Sequence, residues 1–274
     1  MKVGFVLTNY NNSHYTRQAI QSISLNDNWN DSHVVIVDNK SELNDVKLLE
    51  KIKEDYPSIQ LILNQENSGY FKGLNIGIKY LRENYLEMEH IVIGNNDLVF
   101  PSDFITSLYS NKSVFEEYAV TSPDLITLDG VHQNPHVIEK VSKVREVIYD
   151  IYYSNYYFSV IIGHLAKLTR KFTGRKDQQQ YKIAREIYSG YGACYILGPL
   201  FFRNFELLWA PVFLMGEEFF LTKQLEKKGL SVYYEPSISV NHHDHATMGT
   251  LPGRKHWKIS RDSHKIYRQH VKIF

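Results

Sequence analysis

Cysteine is almost absent from this 274-residue chain, where Cys194 stands alone. A disulfide framework inside the chain is thereby excluded, and a reducing compartment is expected. Long apolar runs are missing too: none approaches the roughly 20 residues of a membrane-spanning helix. Charge of one sign is not in excess. Lys and Arg total 31 against 30 Asp and Glu, a net charge of +1, so no global field draws nucleic acid. The N-terminal MKVGFVLTNYNN has no signal-peptide h-region before its strand pattern, which makes a cytoplasmic protein the expectation. No internal repeat or low-complexity tract is seen. Neither G-x-x-x-x-G-K-[ST] nor a G-x-G-x-x-G after the first strand occurs, which argues against a P-loop ATPase and a classical dinucleotide-binding protein.

What is present is a 43% hydrophobic chain with 20 Tyr and 14 Phe, enough core for one large domain or two small ones. Apolar runs at Val3 to Leu7, Val34 to Val37, Ile59 to Leu63 and Ile91 to Ile93 read as buried strands. Helical spacing follows from about Tyr15 and again at Leu48 to Tyr56. This alternation predicts parallel βαβ units. Each strand ends in polar turn formers: Thr8 to Asn12, Asp38 to Ser41, Asn64 and Gln65, and Gly94 to Asp97. Ligands of open α/β sheets bind outside the carboxyl ends of the strands, so four such ends suggest a shared polar rim. Asp97 there suits one hard cation completed by a substrate diphosphate and water, or else the residues form a plain turn. Gly73 and Gly77 share one helix face beside Leu74, Ile78 and Leu81. They mark a close approach to that backbone, either by a ligand or by the sheet.

Further along, Asp124 reads as a pocket or a turn residue, and Gln133-Asn-Pro-His136 has no assigned role. The stretch 146–176 joins a Tyr-rich apolar run to Lys167, Arg170, Lys171, Arg175 and Lys176. It reads either as an interfacial helix on anionic lipid or as a core-packed helical insertion. Glu217 and Glu218 open a helix that runs to Gly229. Acidic residues stabilise helix starts on dipole grounds alone, and that dipole is expected to keep Glu218 ionised. Adjacent helical residues point about 100° apart, so the two differ in role. His242, His243 and His245 follow a strand end and tilt toward a site. From Arg254 the tail is a basic helix that touches phosphates, lipid or a second subunit.

Four pieces in order resemble an inverting family-two glycosyltransferase of GT-A fold, in its rhamnosyltransferase-like branch. They are TNYN at the first strand end, VDNKS at the second, NSGYFKGLNIGI, and NNDLVFPSDF, a variant of the Asp-x-Asp metal motif that keeps only its last Asp. The resemblance lapses over about His132 to Ser189 and resumes at Gly190. It implies a Rossmann-like, mainly parallel sheet flanked by helices, with a nucleotide-binding half at 1–100 and an acceptor half at 101–250. A helical insertion at about 137–188 and a basic tail at 251–274 complete the plan.

By the same resemblance, Thr8, Tyr10 and Asp38 hold the base and ribose, while Asn67, Gly69 and Asn75 flank the nucleotide. Asp97 and His242 ligate Mn²⁺ or Mg²⁺, and Asn96 and Asp124 line the donor and acceptor pocket. Glu218 is the general base, with Glu217 beside it. The chain departs from the family at Phe220, where an acidic residue is common, and at His245 and Thr247, where Gly and Ser are usual. The implied donor is dTDP-rhamnose or a UDP-sugar. The implied acceptor is a lipid-linked or free oligosaccharide of a bacterial surface polysaccharide, reached from the inner face of the membrane, and a homodimer is an option. The alternatives are a catalytically lapsed nucleotide-sugar or glycan-binding protein, and a sugar-nucleotide pyrophosphorylase. The latter lacks its Gly-rich basic loop here.

Overall fold

The structure is a computed structural model describing residues 2–88, 90–173 (backbone only for 169–173), 176–244 and 253–273. Strand β1 (Val3–Asn9), helix α1 (Ser13–Ser24), β2 (Ser32–Asp38), α2 (Leu43–Asp55), β3 (Gln60–Leu63), α3 (Tyr70–Asn84) and β4 (His90–Asn95) alternate as predicted. Their strands pair in parallel in the order β3-β2-β1-β4. Successive residues of a strand point to opposite faces. Phe5, Leu7, Val34, Ile36 and Val92 therefore pack with Ile20, Ile23, Leu49 and Ile52 of α1 and α2. Val6, Val35, Val37, Ile91 and Ile93 pack with Leu74, Ile78 and Leu81 of α3.

The close approach at α3 is made by the sheet itself. A Cβ on Gly77 would lie 2.3 Å from Val6 Cγ1, and one on Gly73 would lie 2.8 Å from Asn39 Nδ2 and 3.1 Å from Thr8 Cγ2. The small residues let α3 sit directly on β1 and β2, and this packing, not a ligand, explains them.

The second half departs from a mainly parallel sheet. β5 (Leu98–Val99), α4 (Phe104–Ser110), α5 (Lys112–Glu117) and β6 (Val120–Thr127) lead to the insertion, with α6 (Lys143–Ser154) and α7 (Tyr156–Thr173). Then come β7 (Arg185–Ile187), β8 (Cys194–Leu197), α8 (Pro199–Asn204), α9 (Glu217–Glu226), β9 (Val232–His242) and α10 (Gly253–His270). β8 lies antiparallel between β4 and β6, β9 runs parallel to β6, and β5 and β7 both pair antiparallel with β9. The result is a mixed sheet of nine strands among the described residues.

An isolated bridge between Val137 and Ser189 closes the insertion at its base, close to the expected limits. Within it, β7 is a strand and the rest of its regular structure is helical. The basic tail is docked on the insertion. Arg268 Nη2 lies 2.7 Å from Glu146 Oε2, His264 Nε2 lies 2.7 Å from Asp150 Oδ1, and Trp257 Nε1 donates to Tyr152 O. Charge-assisted pairs of this kind, partly shielded from water, hold α10 to α6 more firmly than surface pairs would. Among the described residues, no helix is long and apolar enough to cross a membrane.

Candidate active site

The end of β4 and the end of β9 meet because β5 pairs with β9, Leu98 opposite His242, and His243 N donates to Asp97 O at 3.0 Å. That pairing sets Asp97 Oδ1 3.3 Å from His242 Nε2, with both side chains at most 5% exposed. Neither of these two atoms has a hydrogen-bond partner. On the far side of the ring, His242 Nδ1 lies 2.7 Å from Gln133 Oε1. With Gln133 accepting, the proton sits on Nδ1 and Nε2 presents a lone pair to a carboxylate oxygen. Two facing acceptors in a buried site are unfavourable unless a cation lies between or beside them. The donor set, one carboxylate oxygen and one imidazole nitrogen, fits a divalent cation that takes its other ligands from substrate and water. Mixed nitrogen and oxygen favours Mn²⁺ over Mg²⁺. No group of three or more His, Cys, Asp or Glu side chains is placed to hold a metal among the described residues. His245 and Thr247 lie outside them.

Near this pair the start of α9 carries the two glutamates. Met215 and Gly216 both have positive φ, +75° and +88°, which turns the chain sharply into the helix. Glu217 is buried, and its Oε1 has no partner. Burial, then the charge of Glu218, pushes its carboxyl up to about 8. Glu218 is only partly covered and lines a cavity of about 270 Å³ between α6, α9 and α10, with Tyr149, Tyr153, Phe219, His264 and Tyr267. Burial raises its carboxyl to about 7. The expectation that the helix start would keep Glu218 readily ionised is thus overturned. Withdrawal from water outweighs the dipole here.

Tyr191 connects the two centres. Its ring packs edge-on to His242 at 6.0 Å, and burial raises its hydroxyl, with Asp244, Glu218 and Asp97 adding to the shift. Tyr70, whose hydroxyl donates to Gly192 O, is raised chiefly by burial and also by Glu217 and Asp97. Tyr191 and Tyr70 thus feel the charge of both the acidic pair and Asp97.

Residues 5–183 match the family described as Glycosyl transferase family 2. The chain belongs to that family. No match was found among curated protein sequences. Three solved structures share the fold. GalNAc-T7 with UDP, GalNAc and Mn²⁺ aligns over 98% of this chain and 48% of its own, at 11% identity and TM-score 0.62. The mannosyltransferase PcManGT of Pyrobaculum calidifontis, in complex with GDP-Man and Mn²⁺, aligns over 97% and 62%, at 14% identity and TM-score 0.57. S. aureus TarS 1-349 in complex with UDP-GlcNAc aligns over 92% and 62%, at 14% identity and TM-score 0.56. This family-two chain thus spans about half to three fifths of the length of those relatives.

The residues of the expected nucleotide rim fall into two groups. Asp38 is buried at the end of β2, where Oδ1 accepts from Asn9 Nδ2 at 2.9 Å and Oδ2 from Ser41 N at 2.9 Å. Thr8 is half-buried at the end of β1, and Tyr10 is exposed just beyond it. All three lie at the ends of β1 and β2. Gly69 and Asn75 lie against Phe213 and Leu208, and Asn67 bonds to Gly69. Asn67 Oδ1 accepts from Gly69 N, and Tyr70 N donates to Phe213 O. Gly69 has φ +90°, and a Cβ there would lie 2.1 Å from that same carbonyl, so only glycine fits. Asn75 Nδ2 donates to Leu208 O and its Oδ1 accepts from Leu208 N, a paired bond to one backbone residue.

Asn96 and Asp124 are both buried. Asn96 turns inward, and its amide nitrogen meets Asn9 Oδ1, Asn12 Oδ1 and Thr16 Oγ1 within 3.0 Å. It fastens α1 to the strand ends. Asp124 lies within β6 at a bulge, not in a turn, and pairs with His132 Nδ1 at 2.8 Å. Phe220, in the position where an acid is common, is buried against Trp209 and Tyr267, so no carboxylate there would reach solvent. Sequence reasoning missed Gln133 and Tyr191. The polar Gln133-Asn134 pair, to which the sequence assigned no role, was the available signal; the family match runs through it to residue 183.

Glu217 yields a stability prediction. Its folded pKa of about 8 lies above the ordinary 4.5, so the folded state keeps a proton that the unfolded chain has released. Stability from this site is intact below the lower value and falls as pH rises through the window. Glu217→Gln mimics the protonated form. Its melting temperature should exceed that of the wild type by about 5 °C or more near pH 8.5 and match it near pH 5. A loss at both pH values would mean that Glu217 works as a charged group.

Proposed function

We propose that the protein transfers a glycosyl group from a nucleoside-diphosphate sugar to an acceptor hydroxyl, with inversion at the anomeric carbon. The observation that carries the reading is the pairing of Asp97 Oδ1 with His242 Nε2, two buried atoms that lack a hydrogen-bond partner and face each other as metal ligands would. Family membership and the nucleotide sugars bound by the GalNAc-T7, PcManGT and TarS structures support it. Asp97 and His242 would hold Mn²⁺ or Mg²⁺, which when bound neutralises charge on the leaving diphosphate. Gln133 keeps the His242 ring in its ligating tautomer. Thr8, Tyr10 and Asp38 offer the rim on which base and ribose rest.

Glu218 accepts the proton of the acceptor hydroxyl as its oxygen forms a bond to the anomeric carbon. The bond from that carbon to the diphosphate oxygen breaks on the opposite side, which gives inversion without a covalent enzyme intermediate. The cavity walled by α6, α9 and α10 lies where an acceptor would reach Glu218. A dTDP-rhamnose or UDP-sugar donor and a surface-polysaccharide acceptor are the substrates we favour.

The test is a panel of nucleotide sugars with Mn²⁺, read by calorimetry and by release of nucleoside diphosphate. Binding with turnover supports the transferase; binding without any turnover would support a lapsed nucleotide-sugar-binding protein instead. Asp38→Ala should weaken nucleoside diphosphate binding by about tenfold, the size of a lost charged hydrogen-bond site. Unchanged affinity would remove Asp38 from the nucleotide rim.

A further inference from the structure

The insertion leaves an apolar surface uncovered. On α6, Val144, Val147, Ile148 and Ile151 are between 37% and 72% exposed. They recur at three- and four-residue spacing, so they form one stripe. On α7, Tyr157, Ile161, Leu165 and Leu168 make a second, between 55% and 80% exposed. The opposite side of α6 does different work: Glu146 and Asp150 bind α10, while Tyr149 and Tyr153 face the cavity beside Glu218. Soluble proteins rarely leave large contiguous apolar surface in water, so this face has an occupant.

The charges around it indicate which. The sequence of α7 contains no acidic residue. Lys167 on α7 and Lys176 just beyond it are exposed, as are Arg254, Lys255 and Lys258 on the first turns of α10. Those turns sit at the junction of the two insertion helices, with Arg254 over the Tyr156 ring at 5.6 Å and Trp257 edge-on to the same ring at 5.5 Å. Apolar stripes bordered by cations are the chemistry of a helix lying in an anionic lipid interface. A second copy of this chain would bring the same cations against themselves.

We propose that α6 and α7, with the start of α10, lie in an anionic bilayer surface, so that a lipid-linked acceptor enters the cavity beside Glu218 from the membrane side. Tyr149 makes the connection: it lines that cavity and is 38% exposed on the helix that carries the first stripe. The acceptor class rests on the transferase reading above; the lipid surface itself does not.

The experiment uses the full-length protein and vesicles of phosphatidylcholine with or without phosphatidylglycerol. Wild type should sediment with the anionic vesicles at low salt, much less with the neutral ones, and be released at high salt. The double variant Ile161→Glu, Leu165→Glu alters two exposed side chains, so the melting temperature should hold while vesicle binding drops by about tenfold or more. Absence of sedimentation at low salt, or equal sedimentation by wild type and variant, overturns the proposal. Self-association in the ultracentrifuge that the variant abolishes, without vesicle binding, also overturns it in favour of a second copy. Nucleotide-sugar binding is measured alongside. Its persistence when vesicle binding fails separates the loss of this proposal from the loss of the transferase reading.

Discussion

Asp97→Asn is expected to lower Mn²⁺-dependent transfer by about 10³-fold or more, the scale of losing metal stabilisation of a leaving group. Asp97 supplies the carboxylate at the β4 end, and its Oδ1 faces His242 Nε2 at 3.3 Å, neither atom having a hydrogen-bond partner. Asparagine preserves the shape but cannot supply the anionic oxygen. Calorimetry should show Mn²⁺ affinity falling in parallel with activity. In the presence of chelator the variant should melt at or above the wild-type temperature, because an amide N–H can donate to the His242 lone pair that otherwise has no partner. Unchanged Mn²⁺ dependence would sink the assignment. A collapse of stability in chelator would show that the pair is held by a proton, with His242 charged.

Glu218→Gln should cost roughly 10²-fold or more in transfer rate, the usual size of a general-base effect. Donor and metal affinity should barely change, since the side chain lines the acceptor-side cavity. The raised carboxyl adds a sharper signature. With a value of about 7, Glu218 is half protonated near neutrality, so wild-type rate should climb with pH through that region and level off above it. In Glu218→Gln the residual rate should lack that limb. Glu218 shares its cavity with Tyr149 and Tyr153 on α6 and with His264 and Tyr267 on α10, where burial lowers the imidazole. Glu217 on its own helix, and Tyr191 and Tyr195 beside and on β8, feel its charge. Tyr153, Tyr191 and Tyr195 are raised by burial, Tyr153 to about 12, and stay neutral across the same range. Glu217, at about 8, broadens the limb. A full rate in Glu218→Gln, with loss in Glu217→Gln, would exchange their roles.

Both variants concern residues visible in the sequence, but for unequal reasons. Asp97 stands just past an apolar run of three, and a β-strand carries any residue at its end to the sheet's rim; position along the chain sufficed. His242 was legible as a candidate only through its neighbours and a family resemblance. Its partner Asp97 lies 145 residues upstream, and only the β5–β9 pairing closes that distance. For the glutamates, the helix start was readable from the pattern ending at Gly229, whereas the pKa was not. Dipole reasoning uses the helix alone, and burial depends on elements distant in sequence, α6 and α10 among them.

The sequence by itself determined the parallel βαβ half, the presence of a helical insertion and the helical tail. Those features rest on local periodicity and on residues whose effect is felt within a few positions of themselves. Only the tertiary structure decided that β8 enters antiparallel between β4 and β6, that Gly69 and Asn75 lie against Phe213 and Leu208, and that Asn96 bonds to Asn12. It also decided that Gly73 and Gly77 make room for the sheet, that Gln133 orients His242, and that α10 closes the cavity beside Glu218. In each case the deciding partner is distant in sequence. Polar side chains satisfy whichever buried backbone or side-chain group the fold brings to them, and no local pattern names that group.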